Sequence, residues 1–221
     1  GFWDGHYPII WARKYESWNM IDIPERFGTN TIKETTLGQS SIRINFRKLS
    51  LGFSTENIWW GPSKRNSIMM SNHARGFKHI TFNTLKPLKT LIGNFEWQLV
   101  TGRLENSGFT PPRPDYEFAS TLLYHPKNDD WRYFQGLVIA FSPKYIPGLS
   151  LGFIKWVQLY GESAEKNKDF FPVFGNLFRK NDAIGEAKAF RDEAAGVFLR
   201  WLWSDAKAEI YAEFHHNDAK W

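Results

Sequence analysis

No cysteine occurs in the 221 residues, and that absence removes a disulfide scaffold and a thiolate metal site together. It leaves the compartment open, because cysteine-free chains suit both the cytosol and the bacterial envelope. Long apolar runs are also missing. The longest, Leu137-Val-Ile-Ala-Phe141, falls far short of the ~20 residues a helix needs to cross hydrocarbon. The opening Gly1-Phe-Trp-Asp4 has neither the basic start nor the apolar stretch of a signal peptide, and reads as the start of a mature or truncated chain. Blocks of one charge are absent too. Lys and Arg exceed Asp and Glu by 28 − 23 = 5, but they are scattered among the acids. A surface that tracks a nucleic-acid backbone, and hence a nucleic-acid partner, is therefore not expected. Helix signal is scarce: only Ala183–Ala195, crowded with Glu, Lys, Ala and Arg, reads as helical.

What the chain does have is aromatic weight, 11 Trp, 19 Phe and 8 Tyr, which excludes disorder because so much apolar surface would not stay solvated. It also has alternation with period two. Ile42, Ile44 and Phe46 oppose Arg43, Asn45 and Arg47; after a turn near Arg47–Leu49, Leu49, Leu51 and Phe53 oppose Ser50, Gly52 and Ser54. The pattern predicts a β-hairpin. Ile80 and Phe82 alternate with His79, Thr81 and Asn83, and Phe95, Trp97 and Leu99 with Asn94, Glu96 and Gln98. A second hairpin is expected from about Arg132 to Tyr160, with Pro143 and Pro147 in its turn and outside the strands, since proline cannot donate to a ladder. In the last pair, Val197–Trp203 leads through Ser204–Ala206 into a strand whose odd face is Lys207, Glu209, Tyr211, Glu213 and His215 and whose even face is apolar. Gly61–Gly76, Asn106–Asp130 and Gly161–Asp182 carry the Gly, Pro, Asn and charge of long connections.

Two architectures share this alternation. A soluble sandwich points apolar residues inward and polar ones to water. A transmembrane β-barrel turns the apolar side to lipid and lines a wet interior with the polar side. Three features favour the barrel: bulky opposite charges on the polar faces, Trp201, Trp203, Tyr145 and Tyr160 near strand ends as an interfacial girdle, and short turns alternating with long polar loops. Polar residues expected to face the lumen are Arg43, Asn45, Glu96, Gln98, Arg200, Glu209 and Glu213. A soluble β-rich carbohydrate-binding module remains the other reading.

The run Ser54-Thr-Glu-Asn-Ile-Trp-Trp-Gly-Pro62, with Arg65-Asn66, Ser71-Asn-His73, Phe82-Asn-Thr84, Gly93–Gln98 and Glu209–Phe214, resembles the capsule assembly Wzi family, in versions typical of Bacteroidetes-type bacteria. The resemblance spans nearly everything from Asp4 onward. It implies an all-β, antiparallel transmembrane barrel of roughly eighteen strands in the cell outer membrane, acting as a non-enzymatic surface lectin for capsular polysaccharide. Its partners would be outer-membrane lipid, surface polysaccharide and other outer-membrane proteins of a complex; the alternative role on the same fold is a structural barrel subunit of a larger outer-membrane complex for gliding motility, secretion or glycan uptake. About nine strands are legible here. Residues 1–221 accordingly read as a single partial barrel domain, part of a longer chain.

The residues allow one site. Trp59 and Trp60, with Arg65, Asn66, Asn72 and His73 close by, offer aromatic faces for a pyranose and planar polar groups for its hydroxyls. The plainer alternative is that the tryptophans plug the lumen or anchor a loop to the wall. A glycosidase pair is not expected: Glu209 and Glu213 lie about 13 Å apart along one strand at ~3.3 Å per residue, against the ~5–10 Å that glycoside hydrolysis uses. Glu96 is expected to be neutralised by an Arg. His215 and His216 point to opposite faces and cannot share a metal, no phosphate cradle or nucleophile elbow exists, and no cofactor is implied. Gly52, Gly136, Gly152 and Gly196 are read as allowing curvature or close packing.

Overall fold

The computed structural model describes residues 33, 35–105, 117–118, 121–122, 130–161, 173 and 191–217. They are built from strands: β1 Ser41–Phe46, β2 Leu49–Ser54, β3 His79–Thr84, β4 Leu88–Lys89, β5 Gly93–Leu104, β6 Glu117–Phe118, β7 Thr121–Leu122, β8 Arg132–Pro143, β9 Leu149–Tyr160, β10 Arg191–Trp203 and β11 Ala208–Asn217. Nine form one antiparallel sheet in the order β1-β2-β3-β5-β8-β9-β10-β11, with β4 paired to β5. This sheet belongs to the unit Leu37–Glu105 plus Asp130–Trp221; β6 and β7 pair with each other in the other unit. Among the described residues no helix is long and apolar enough to cross a membrane.

The connections fall into two kinds. Turns 47–48, 144–148 and 204–207 and the short link through β4 close one end of the strands, and the longer segments 55–78, 105–131 and 161–190 leave from the other. All three tight turns use left-handed backbone, at Arg47 (φ 54), Gly148 (φ 79) and Lys207 (φ 49). Pro143 is a correction to the expected turn: it is the last residue of β8, opposite Gly93, where a missing N–H costs little. The expected helix 183–195 is overturned at its end, since residues 191–195 open β10. There Ala194 and Ala195 pair with Trp156 and Lys155 and are buried; ladder pairing outweighs their helix propensity. Residues 183–190 lie outside the described residues.

Period two puts opposite chemistry on the two faces of the sheet. One face carries Ile42, Ile44, Phe46, Phe53, Val197, Ile210 and Phe214, with Ile42 79%, Ile44 75% and Phe214 65% exposed. In water each such side chain forfeits about 1.5–3 kcal/mol of burial, roughly 10–20 kcal/mol for these seven, as large as the stability of a typical domain. This face therefore requires an apolar environment. On β10 its exposed part runs from Trp203 to Val197, about 20 Å along the strand at ~3.3 Å per residue. Trp201 and Trp203 sit together at its turn end, ring centroids 4.7 Å apart. Tyr145 is exposed in the neighbouring turn, whereas Tyr160 lies on the opposite face beside Arg132 (Nη2–Oη 3.2 Å) and is no girdle residue.

The exposed band stops before the loop end. There Leu137, Val157, Leu159 and Gln135 are buried on the same face, and the backbone N–H of buried Val173 donates to Gln135 Oε1 (3.0 Å). Protein covers this part of the face, a correction to an outer surface given wholly to lipid.

Placing a charge in the middle of the band tests its solvent. Leu199→Arg is expected to lower unfolding stability in lipid vesicles by about 2–4 kcal/mol, and Ala208→Arg at the turn end by about 0–1. Equal denaturant midpoints for the two variants would show that this face does not meet hydrocarbon.

Candidate functional site

The other face holds the site, and register decides who shares it. Arg43 is in line with Gly52, Thr81 and Val100; Asn45 with Ser50, Asn83 and Gln98; Glu96 with Ala140, Gly152, Phe198 and Glu213. Arg200 and Glu209 lie nearer the turns on the same face. All seven polar residues expected to face the lumen therefore share a side. They do not make it uniformly wet. Across β5, β8, β9 and β10 the face is apolar, with Val100, Phe134, Val138, Ile154, Trp156 and Phe198, and that patch is covered by the chain's own β2–β3 loop.

Residues 55–78 fold back over the sheet instead of extending from its end. The loop contributes Ile58, Trp60, Met69, Met70 and Phe77 to the core, and Trp60 is only 2% exposed. Its indole fits because β8 has no side chain at Gly136: a Cβ there would lie 2.5 Å from Trp60 Cη2. The indole N–H donates to Gln98 Oε1 (2.7 Å), so the ring is buried without an orphan donor. Trp60 N–H also donates to Met70 O (3.1 Å), closing the loop into a small bridge, and Ser67 Oγ donates to Trp60 O.

The loop tip then crosses to β11, the far strand. Glu213, its side chain 3% exposed, accepts from the backbone N–H of Ser63 at Oε1 (3.0 Å) and of Ile68 at Oε2 (3.1 Å). His215 Nε2 lies 3.4 Å from the same carboxylate. Glu209 pairs with Lys64 of the loop and with Arg200 of β10 (3.1 Å). At the loop base Arg43 meets Glu56 (2.7 Å), and Gln39 bonds Asn57. Ion pairs this exposed contribute little singly, but two backbone N–H groups on one buried carboxylate form a strong latch. The Arg43 guanidinium, helped by Ser54, holds the Glu56 carboxyl below the usual carboxylate range. Its contribution to the loop base is complete above that range and is lost as pH falls through the lowered value.

The six residues expected to bind sugar therefore separate. Trp60 faces the wall and presents no ring to a ligand, a correction forced by its burial. Trp59 is half-buried, with its indole N–H donating to Ser63 O (3.0 Å). Arg65, Asn66, Asn72 and His73 are exposed, and His73 Nε2 and Asn66 Oδ1 lie 3.0 Å apart, which draws the two ends of the polar stretch together. Glu96, expected to be neutralised by an Arg, is exposed and has no cationic partner among the described residues. Among those residues no cluster of three metal-binding side chains occurs. The latch itself was invisible in the sequence. The alternation marked Glu213 as lumenal, but its partners are backbone amides 145 and 150 positions away.

With this geometry in place, the family comparison is decisive: the model of the capsule assembly protein Wzi matches residues 12–221. The chain belongs to that family. The comparisons with curated proteins and with solved structures return no match. Wzi membership and the open nine-stranded antiparallel sheet agree on part of an outer-membrane β-barrel, and they give the inward loop a frame: it lies on the face that such a barrel closes around.

Glu213→Ala is expected to remove the acceptor of two loop N–H groups, a cost of about 1.5–3 kcal/mol in all, since the exposed Ile68 N–H can turn to water. Trypsin should then cut at Lys64 and Arg65 at least tenfold faster, with the strand signal in circular dichroism unchanged. Gly136→Val should free the same sites by displacing Trp60. Cleavage at the wild-type rate in both variants would mean that the loop is held by other contacts.

Proposed function

We propose that this Wzi-family chain forms part of a non-enzymatic outer-membrane barrel that binds surface polysaccharide during capsule assembly. Family membership supports the role in capsule assembly. The observation that carries the binding reading is the docked β2–β3 loop, which offers half-buried Trp59 and exposed Arg65, Asn66, Asn72 and His73 from a backbone fixed by Trp60 and Glu213. A loop held in place loses less entropy on binding than a free one. An aromatic face beside amide and guanidinium groups suits a pyranose, whose ring is apolar on its faces and polar at its edge.

The exposed apolar face argues against the soluble carbohydrate-binding module. Such a module would bury Ile44 and Phe214 and leave the opposite face to water.

The double variant Trp59→Ala/Asn66→Ala is expected to weaken binding of capsular polysaccharide to the detergent-purified chain about tenfold, the size of one aromatic contact and one hydrogen bond together. Trypsin resistance of the loop should stay at the wild-type level. Undiminished polysaccharide binding would clear the loop of this role.

A further inference from the structure

A second recognition surface lies near the turn end of the same face. Reading across the ladder, Lys89 is opposite Asn94, Asn94 opposite Ser142, and Ser150 opposite Arg200; the Ser142 and Ser150 hydroxyls are 3.0 Å apart. One rung therefore presents an ammonium, an amide, two hydroxyls and a guanidinium on five neighbouring strands. At ~4.8 Å per strand it extends about 19 Å. The rung borders a cavity of about 660 Å³ whose lining includes Lys89, Lys144 and Arg200 and no carboxylate. Arg200 gives one amino group to Glu209. Among the described residues neither Lys89 nor Lys144 pairs with an acid.

The cavity is shaped before any ligand arrives. Lys144 N–H donates to Ile92 O (3.0 Å), which ties the β8–β9 turn to the β4–β5 connection. Leu202 N–H donates to Gly148 O (3.0 Å), which ties the same turn to β10. Pro147 and Leu202 add apolar wall.

We propose that this rung is a site for an acidic saccharide, one whose sugar units carry carboxylates. The lysines meet the carboxylates, Asn94, Ser142 and Ser150 meet hydroxyls, and a glycan lying across the strands meets one polar group per strand. A peptide would find no free ladder to extend, because β5, β8, β9 and β10 are paired on both sides. A lipid headgroup would have to leave its acyl chains on the polar face. The choice of a saccharide rests on the polysaccharide reading above; the cationic lining does not.

The test is binding of oligogalacturonate to the full chain in neutral detergent. The fully methyl-esterified oligomer and hexaglutamate serve as comparison probes. The wild type is expected to bind oligogalacturonate at least tenfold more tightly than either, with affinity falling as salt rises. Lys89→Gln/Lys144→Gln should weaken that binding roughly tenfold. Equal affinity for the ester, equal affinity for hexaglutamate, or no effect of the lysine variant would each overturn the proposal. Failure of the loop reading registers separately, as undiminished capsular polysaccharide binding by Trp59→Ala/Asn66→Ala.

Discussion

The arrangement follows from one constraint: the sheet gives its apolar side away. A soluble β-sandwich obtains its core by packing two apolar faces together. Here Ile42, Ile44, Val197 and Phe214 point outward and cannot contribute to an internal core. The dry packing that fixes this part of the fold must therefore come from the other face, and a single layer has nothing there to pack against. The β2–β3 loop supplies the missing layer. Its Ile58, Trp60, Met69, Met70 and Phe77 meet Val100, Phe134 and Ile154, so this packed cluster lies on the face that alternation marks as polar.

This explains the placement of the glycines and the acids. Gly136 leaves the space that Trp60 fills, and Gly152 leaves the space for the Phe198 ring; larger residues at either position would lift an aromatic off the wall. Glu213 and Glu209 then hold the loop tip on β11. Carboxylates that could be read as lumen lining or as half of a catalytic pair instead act as acceptors for the loop, and the same docking leaves Trp59, Arg65, Asn66 and His73 on a rigid support. The two proposed recognition surfaces are thus neighbours on one face, joined through the Lys64–Glu209–Arg200 chain of ion pairs.

Much of the strand order was legible because period two reports directly on a sheet with unlike faces. Ser41–Thr55 and Arg132–Tyr160 appear as hairpins at the expected places, and the turn at 204–207 joins the last two strands. Two misreadings have local causes. The stretch before Gly196 is rich in helix formers, yet 191–195 form strand because Ala194 and Ala195 complete the ladder beside Trp156 and Lys155. Trp60 resembled a sugar platform because a tryptophan in a polar loop has the same local signature whether its ring faces a ligand or a wall.

What the amino-acid order determined alone is which residues of one strand share a face: side-chain direction alternates strictly along a strand, so Glu96 and Gln98 were bound to one side, and Glu209 and Glu213 to one side. Which of them meet, and where the chain is dry, belonged to the tertiary structure. Those outcomes depend on contacts between positions as distant as Ser63 and Glu213, and on a loop path that no local periodicity encodes.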